Sequence, residues 1–179
     1  MRFSNTTLAL VFSFLTAAGA TPALASSADG KIHGPAKTTT TAATSRVFTK
    51  SAEYSQFNHL LVNANMKRIL NRTSETYTVF APTNAAVLRV PANVRTRMFV
   101  DGNPGLRQLV YRHMVAGNID FDQLADGAEI KTLSGEVLRV AKCADGSILL
   151  NGVYRVTSAG QTTANGTVYT IDSMIAPTN

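Results

Sequence analysis

The sequence predicts an α+β protein in which N-terminal helices pack on an antiparallel β-sandwich or wedge. Two observations predict this class. In the first half of the chain, apolar residues recur at steps of three and four, the period of a helix with one buried face. In the second half, short apolar runs alternate with Asx-Gly and Ser-Gly pairs, the pattern of strands joined by tight turns.

Two helices follow from the helical spacing. Tyr54, Phe57, Leu61 and Ala64 form one apolar stripe. The second stripe consists of Leu106, Leu109, Val110 and His113. Before it lies Asn103-Pro104, which fits a helix start, with Asn as the N-cap and Pro in the first turn. We expect both stripes to face a common core.

The strands are predicted from residue 129 onward. Tight turns are predicted at Ser134-Gly135, Asp145-Gly146, Asn151-Gly152 and Asn165-Gly166. They separate apolar runs over residues 137–141, 148–150 and 153–156. Because Asx-Gly pairs accept the positive φ that tight hairpins need, this half is predicted to be an antiparallel meander.

Residues 1–25 indicate a cleavable signal peptide. Arg2 precedes an apolar stretch over residues 8–20, and a small-x-small site occupies residues 23–25. The apolar stretch is shorter than a membrane-spanning helix, and no later segment reaches that length. We therefore expect a secreted chain without a transmembrane segment, in the periplasm or outside the cell.

Residues 26–45 indicate a flexible linker rich in Thr and Ser. They carry almost no large apolar groups and cannot bury enough surface to offset their chain entropy. Residues 46–179 are then one domain with its own core. Cys143 is the only cysteine, which excludes an internal disulfide, and its strand-like surroundings favour a small buried hydrophobe over a reactive thiol.

The short Thr-rich linker and the single domain indicate a bacterial protein. In a eukaryotic secretory route, by contrast, Asn71 and Asn165 would be glycan acceptors, because each begins an Asn-x-Thr triplet.

Three motifs occur in order along the domain. The first comprises Thr78, Val79, Phe80, Ala81, Pro82, Thr83 and Asn84. The second is Arg112-His113-Met114-Val115-Ala116-Gly117. The third comprises Asn165, Gly166, Val168, Ile171 and Asp172, and an apolar stretch ending in Pro177 follows it. In kind, spacing and order these motifs resemble the fasciclin domain, and the resemblance covers residues 48–177.

The resemblance implies a cell-adhesion or surface-binding module without a cofactor or turnover. The expected partner is a cell-surface or extracellular matrix protein or an anionic carbohydrate. In animal members the Tyr-His segment has been tied to receptor binding, and here Arg112 replaces that tyrosine. Tyr111 lies one residue early, which turns its side chain by about 100° on a helix. The chain also has no Arg-Gly-Asp tripeptide.

The first motif also has a structural interpretation. Val79 and Phe80 are predicted core residues, and Pro82 ends the strand because it has no donor for the ladder. Thr83 or Asn84 is predicted to cap the short helix that follows.

Catalytic, cofactor and metal sites are not predicted. The sequence has no Gly-x-Ser-x-Gly elbow, phosphate loop or His-x-x-x-His pair. His113 is predicted to be partly buried with a local hydrogen bond, and Asp172 to make a structural one. Two alternatives remain open: a small secreted hydrolase that uses His113, and an envelope structural or stress protein without a specific ligand.

Charge suggests where a binding face could lie, since the chain carries a net charge of +6 at pH 7. A possible binding face is formed by Arg89, Arg95, Arg97, Arg107 and Arg112. Such a face would attract anionic polysaccharide, lipid headgroups or acidic proteins, and less strongly at high salt. The alternative is a solvated helical surface. Nucleic acid is not expected as a partner, because interleaved aromatics and a reading motif are missing.

Overall fold

Helices precede strands in this protein, as the sequence predicts. A computed structural model describes residues 38–72, 74–100 and 103–176, all within one unit spanning residues 32–179. The predicted signal peptide and most of the predicted linker lie outside the described residues and stay predictions. No helix in the described part of the chain is long and apolar enough to cross a bilayer.

The described residues form six α-helices and nine strands. The helices are α1 (Thr44–Lys50), α2 (Ser55–Asn63), α3 (Lys67–Leu70), α4 (Asn84–Leu88), α5 (Ala92–Met98) and α6 (Pro104–Arg112). The strands are β1 (Thr38–Thr39), β2 (Tyr77–Pro82), β3 (Met114–Ala116), β4 (Glu129–Lys131), β5 (Val137–Lys142), β6 (Ile148–Leu150), β7 (Tyr154–Val156), β8 (Gln161–Thr163) and β9 (Gly166–Ile171).

The helix starts follow the predicted chemistry. The side chain of Asn103 accepts a hydrogen bond from the main-chain nitrogen of Gly105 at 2.9 Å, with Pro104 in the first turn of α6. Thr83 caps α4 by accepting from the nitrogen of Ala86 at 3.1 Å. Asn84 instead binds the preceding segment, accepting from the nitrogen of Gln56 at 2.9 Å. Of the two predicted caps, Thr83 is therefore the one used.

The sheet is mixed, which adds to the predicted antiparallel arrangement. Strands β4 to β7 form the predicted antiparallel meander, and β8 pairs antiparallel with β9. However, β2 and β9 pair in parallel along their full length, from Tyr77 opposite Gly166 to Pro82 opposite Ile171. The strands of the first and third motifs are thus neighbours, and every residue of β2 and β9 is buried. Strands buried on both faces are expected to be continuously rich in apolar and β-branched residues.

Two apolar cores lie on opposite sides of this strand pair. Val79, Ala81 and Val168 pack with the helices in one core. Phe80 and Tyr169 face the meander in the other, where their rings stack at a centroid distance of 5.6 Å. The alternation follows the two-residue period of a strand. The fold class is therefore confirmed: a helical layer and a β-wedge share the β2–β9 pair as a common wall.

The N-terminal boundary of the folded part differs from the predicted one. Residues 38–45 were assigned to the linker, but β1 pairs in parallel with β8 and α1 begins at Thr44. Thr44 and Ser45 are buried although both are small and polar. Composition missed this segment because hydrogen bonds hold it in place and it has few large apolar side chains.

Candidate functional site

Asn165 of the third motif is a fully buried hydrogen-bonding centre. Its Oδ1 accepts from the main-chain nitrogen and the hydroxyl of Thr44, each at 2.8 Å. Its Nδ2 donates to the carbonyls of Leu70 at 2.8 Å and Arg72 at 3.1 Å. The amide is thus fully used within the fold. The predicted glycan acceptor at Asn165 is wrong for the folded protein, because this side chain is inaccessible, whereas Asn71 is exposed.

His113 of the second motif is sealed in the core. It is 0% exposed, more deeply buried than predicted. Its Nε2 accepts from the main-chain N–H of Ile175 at 3.0 Å, so Nδ1 carries the hydrogen and donates to the carbonyl of Leu109 at 2.8 Å. Burial lowers the pKa of the imidazole from 6.5 to about 4, and the charge of Arg112 acts in the same direction. A hydrolase that uses His113 is ruled out, because no substrate reaches either ring nitrogen.

Asp172, at the end of the third motif, joins neighbouring segments. Its Oδ1 accepts from the main-chain nitrogen of Arg155 at 3.1 Å. Its carbonyl accepts from Nη1 of Arg89 at 3.2 Å. The first contact joins the end of β9 to β7, and the second joins it to the residue that follows α4. Asp172 therefore has structural partners in two other segments.

The five arginines of the predicted face have different roles in the structure. Arg112 forms an ion pair with Glu136 at 2.7 Å, and its side chain is only 16% exposed. Arg95 donates to the carbonyl of Leu88 at 2.9 Å, at the end of α4. Arg89 donates to Asp172, as described above. Arg97 and Arg107 are exposed. The structure thus commits three of the five to internal contacts.

Arg107 instead belongs to a basic cleft between α3 and α6. The basic cleft has a volume of about 290 Å³ and is lined by Asn65, Met66, Arg68, Ile69, Arg72, Arg107 and Tyr111. Arg68 and Arg72 are four residues apart, as are Arg107 and Tyr111 on α6. On α6 this spacing places both side chains on one face of the helix. Arg72 lies two residues beyond the end of α3, so the other side of the cleft is lined by α3 and the residues just after it.

The turn after α2 shapes the cleft. Asn65 has a φ of 59°, its nitrogen donates to the carbonyl of Val62, and the nitrogen of Met66 donates to the carbonyl of Leu61. These two bonds form a Schellman motif, which ends a helix with one left-handed residue, and Asn tolerates that conformation. Met66 and Leu61 are both buried in the helical core. The turn therefore fixes Asn65 at the cleft and Met66 in its floor.

A second pocket continues the cleft. It has a volume of about 320 Å³ and is lined by Asn63, Ala64, Asn65, Asn103, Pro104 and Arg107. Asn65 and Arg107 line both pockets. No acidic side chain among the described residues lines either one, and none of the three cleft arginines has an ion-pair partner among the residues described. Nearby Glu75 accepts a hydrogen bond from the Tyr77 hydroxyl.

A larger pocket on the meander has lining charges of both signs. It measures about 530 Å³, and Lys142, Asp145 and Arg155 are among its lining residues. Arg155 and Asp145 approach each other to 3.8 Å. Because opposite charges already neighbour each other there, this pocket has less to attract a charged ligand than the basic cleft. Within the described ranges no three His, Cys, Asp or Glu residues are placed to hold a metal ion.

Sequence reasoning found Arg107 but missed Arg68 and Arg72. The signal was present, since residues 67–72 contain three basic residues and no acidic one. These residues lie before the first motif, outside the region in which basic residues were counted. Only the tertiary fold, which lines one cleft with residues of α3 and α6, brings them together.

Comparison with known proteins places the chain in a family. A family model for the Fasciclin domain matches residues 52–177. The chain belongs to the fasciclin domain family. This fasciclin domain is 35% identical over 102 residues to Protein sll1483 of Synechocystis sp., across 56% of this chain and 55% of that protein.

Another relative and a solved structure agree with this assignment. The Cell surface glycolipoprotein MPB83 of Mycobacterium bovis is 36% identical over 101 residues, across 56% of this chain and 44% of that protein. The match therefore spans about half the length of these relatives. The structure of a FAS1 domain pair from the insect cell adhesion molecule Fasciclin I aligns with a TM-score of 0.69 and 15% identity, over 76% of this chain and 51% of that one. That alignment supports the fold.

Proposed function

We propose that this fasciclin domain is a secreted, non-catalytic attachment module that binds an anionic partner at a cell surface or in an extracellular matrix. The observation that carries the proposal is the basic cleft, in which three exposed arginines line a concave site and no acidic residue of the described ranges lines it. Charges of one sign in a concave site attract ligands of the opposite sign. The names of the relatives, one at a cell surface and one a cell adhesion molecule, agree with this role.

A binding role is further supported by the motif residues. His113 and Asn165 are fully buried, and main-chain groups or Thr44 occupy their polar atoms. Asp172 likewise binds the main chain. The residues that a catalytic interpretation would use therefore hold the fold together. The exterior is left for recognition, which fits a module whose function lies in a surface site.

The experiment is a binding screen with the purified protein. Immobilised cells, matrix proteins and anionic polysaccharide are compared with a neutral polysaccharide, at low and at high salt. We expect saturable binding to at least one anionic surface, weakened by salt because exposed charges are screened. A lack of saturable binding to every surface would contradict the proposal and favour the envelope structural protein.

A further inference from the structure

We infer that the basic cleft and its adjoining pocket are consecutive subsites for an acidic polysaccharide. In this arrangement Arg68, Arg72 and Arg107 bind the carboxylate or sulfate of one sugar unit, and the asparagine-lined pocket receives the next unit. The inference rests on the proposed attachment function and specifies the class of its partner. The inferred ligand is a polymer whose negative charge repeats along its length, in contrast to a free anion.

The charge of the cleft supports an anionic group at its centre. Its three arginines belong to two separate segments, α3 with the residues just after it and α6, and line one space of about 290 Å³. Guanidinium groups donate in a planar fork that matches a carboxylate or sulfate. No carboxylate of the described residues forms an ion pair with them. The nearby carboxylate of Glu75 is bound by the Tyr77 hydroxyl, so an external anion has no ion pair to displace.

The shape favours a polymer. The two pockets have similar volumes, about 290 and 320 Å³, and Asn65 and Arg107 line both. A single inorganic anion needs only one of them. A chain of repeating units would place successive units in successive pockets, with Arg107 at the junction between the two.

The lining chemistry favours sugar over lipid or protein. Sugar rings have hydroxyls that bond to amides and C–H faces that pack on apolar or aromatic groups. The lining offers both, with Asn63 and Asn65 as amides and Ile69 and Tyr111 as apolar surface. The amide of Asn103 is already bound to Gly105 and to the carbonyl of Arg97, and Met66 is buried.

Most of the exposed large apolar side chains lie on other elements, and the exception is Val62, which is 48% exposed and directly precedes Asn63 of the second pocket. Leu88, Val94 and Val100 are 60%, 44% and 55% exposed and lie in or beside α4 and α5. A lipid surface would need several such side chains beside the arginines, and Val62 is a single one. Within the cleft, Met66 is buried in the floor. A folded acidic protein would need a broad contact surface, and the cleft is small and concave.

The test titrates the protein with a uronic acid tetrasaccharide, the matching monosaccharide and a neutral tetrasaccharide in a calorimeter. The variants are Arg68→Gln and Arg107→Gln. Arg97→Gln is the matched control, because it removes the same charge from an exposed arginine that lines neither pocket. We expect each cleft variant to bind the tetrasaccharide about tenfold more weakly, since one charged hydrogen-bonding group is lost. The control should change by less than about twofold.

Two further variants separate recognition from a general charge effect. Arg107→Lys keeps the charge and removes the fork, so we expect several-fold weaker binding of the tetrasaccharide. Asn63→Ala should weaken binding of the tetrasaccharide and leave the monosaccharide unchanged, because Asn63 lines only the second pocket and a single unit occupies the cleft alone. Equal loss with all three arginine-to-glutamine changes, including Arg97→Gln, would overturn the inference in favour of diffuse attraction.

Two probes test the other ligand classes: vesicles containing phosphatidylglycerol, and polyglutamate. Tighter binding of either one, with the same dependence on Arg68 and Arg107, would overturn the polysaccharide assignment. If the protein binds anionic surfaces but the cleft variants bind as well as the unchanged protein, the cleft inference fails and the attachment function stands. If nothing binds, both fail. Unchanged thermal unfolding of the variants shows that they are folded.

Discussion

At the residue scale, two buried polar side chains join segments that are distant in sequence. Asn165 binds groups 93 to 121 residues away: Thr44 at the start of α1, and Leu70 and Arg72 at and just after the end of α3. His113 binds Ile175, 62 residues away, and so holds the C-terminal segment against α6. Both side chains have their polar atoms paired, which is what makes their burial tolerable.

Replacing Asn165 with Ala should strongly destabilise the fold. The change leaves the nitrogen of Thr44 and the carbonyls of Leu70 and Arg72 without these partners, and buried unpaired groups cost about 1 to 3 kcal/mol each. We expect the free energy of unfolding, measured with urea, to fall by about 3 kcal/mol or more. Asn93→Ala, at an exposed position on α5, is the control and should change little. Equal effects of both changes would contradict the role given to Asn165.

His113 should make the protein less stable as the pH is lowered. Its pKa is about 4 in the folded protein and ordinarily 6.5, so between these values the unfolded chain binds a proton that the folded protein does not. The stabilising contribution is complete above pH 6.5 and is lost as the pH falls to 4. The loss in the free energy of unfolding over this range is about 3 kcal/mol. Denaturant unfolding at pH 7 and pH 4 should show this loss in the unchanged protein. It should be absent from His113→Gln, and an equal loss in both proteins would refute the assignment.

At the element scale, the β2–β9 pair explains why two of the motifs contain the residues they do. The sequence predicted the helices and the meander because their signals are local: a helical period, a cap, or an Asx-Gly turn. It did not predict that β2 and β9 lie in parallel, since no turn connects them and their pairing depends on a long connection through helices and strands. At one end of the pair, Gly166 lies opposite Tyr77.

Substituting Gly166 should disrupt this pair. A Cβ atom at Gly166 would lie 1.8 Å from the carbonyl oxygen of Tyr77, and the residue has a φ of +144°. We expect Gly166→Ala to lower the free energy of unfolding by about 4 kcal/mol or more, since the strands must separate. Gly152→Ala is the matched control, with a φ of +70° and no atom within 4 Å of the added Cβ. It should cost about 1 kcal/mol, the strain of the left-handed backbone alone. Similar losses for both changes would show that backbone strain, and not strand spacing, determines the requirement for glycine.

At the scale of the whole molecule, the sequence predicted the domain and its family but only part of its candidate site. Charge counting along one stretch of chain found Arg107, yet it also grouped Arg95 and Arg112, which bind a main-chain carbonyl and Glu136. Whether an arginine is free depends on acceptors supplied by other segments, and no local pattern contains that information. The same reason accounts for the domain boundary, because residues 38–45 are held by partners near the C terminus.

A chain that begins at Arg46, at the predicted domain boundary, should be less stable than one that begins at Lys37. The shorter chain lacks β1, which pairs with β8, and Thr44, which gives Asn165 two hydrogen bonds of 2.8 Å. Oδ1 of Asn165 would then be buried without these donors, and α1 would lose its first turn. We expect a loss of roughly 3 kcal/mol, which lowers the Tm by about 10 °C for a domain of this size. Scanning calorimetry of the two chains measures the difference. Equal Tm values would place residues 38–45 back in the linker and leave Asn165 satisfied by water.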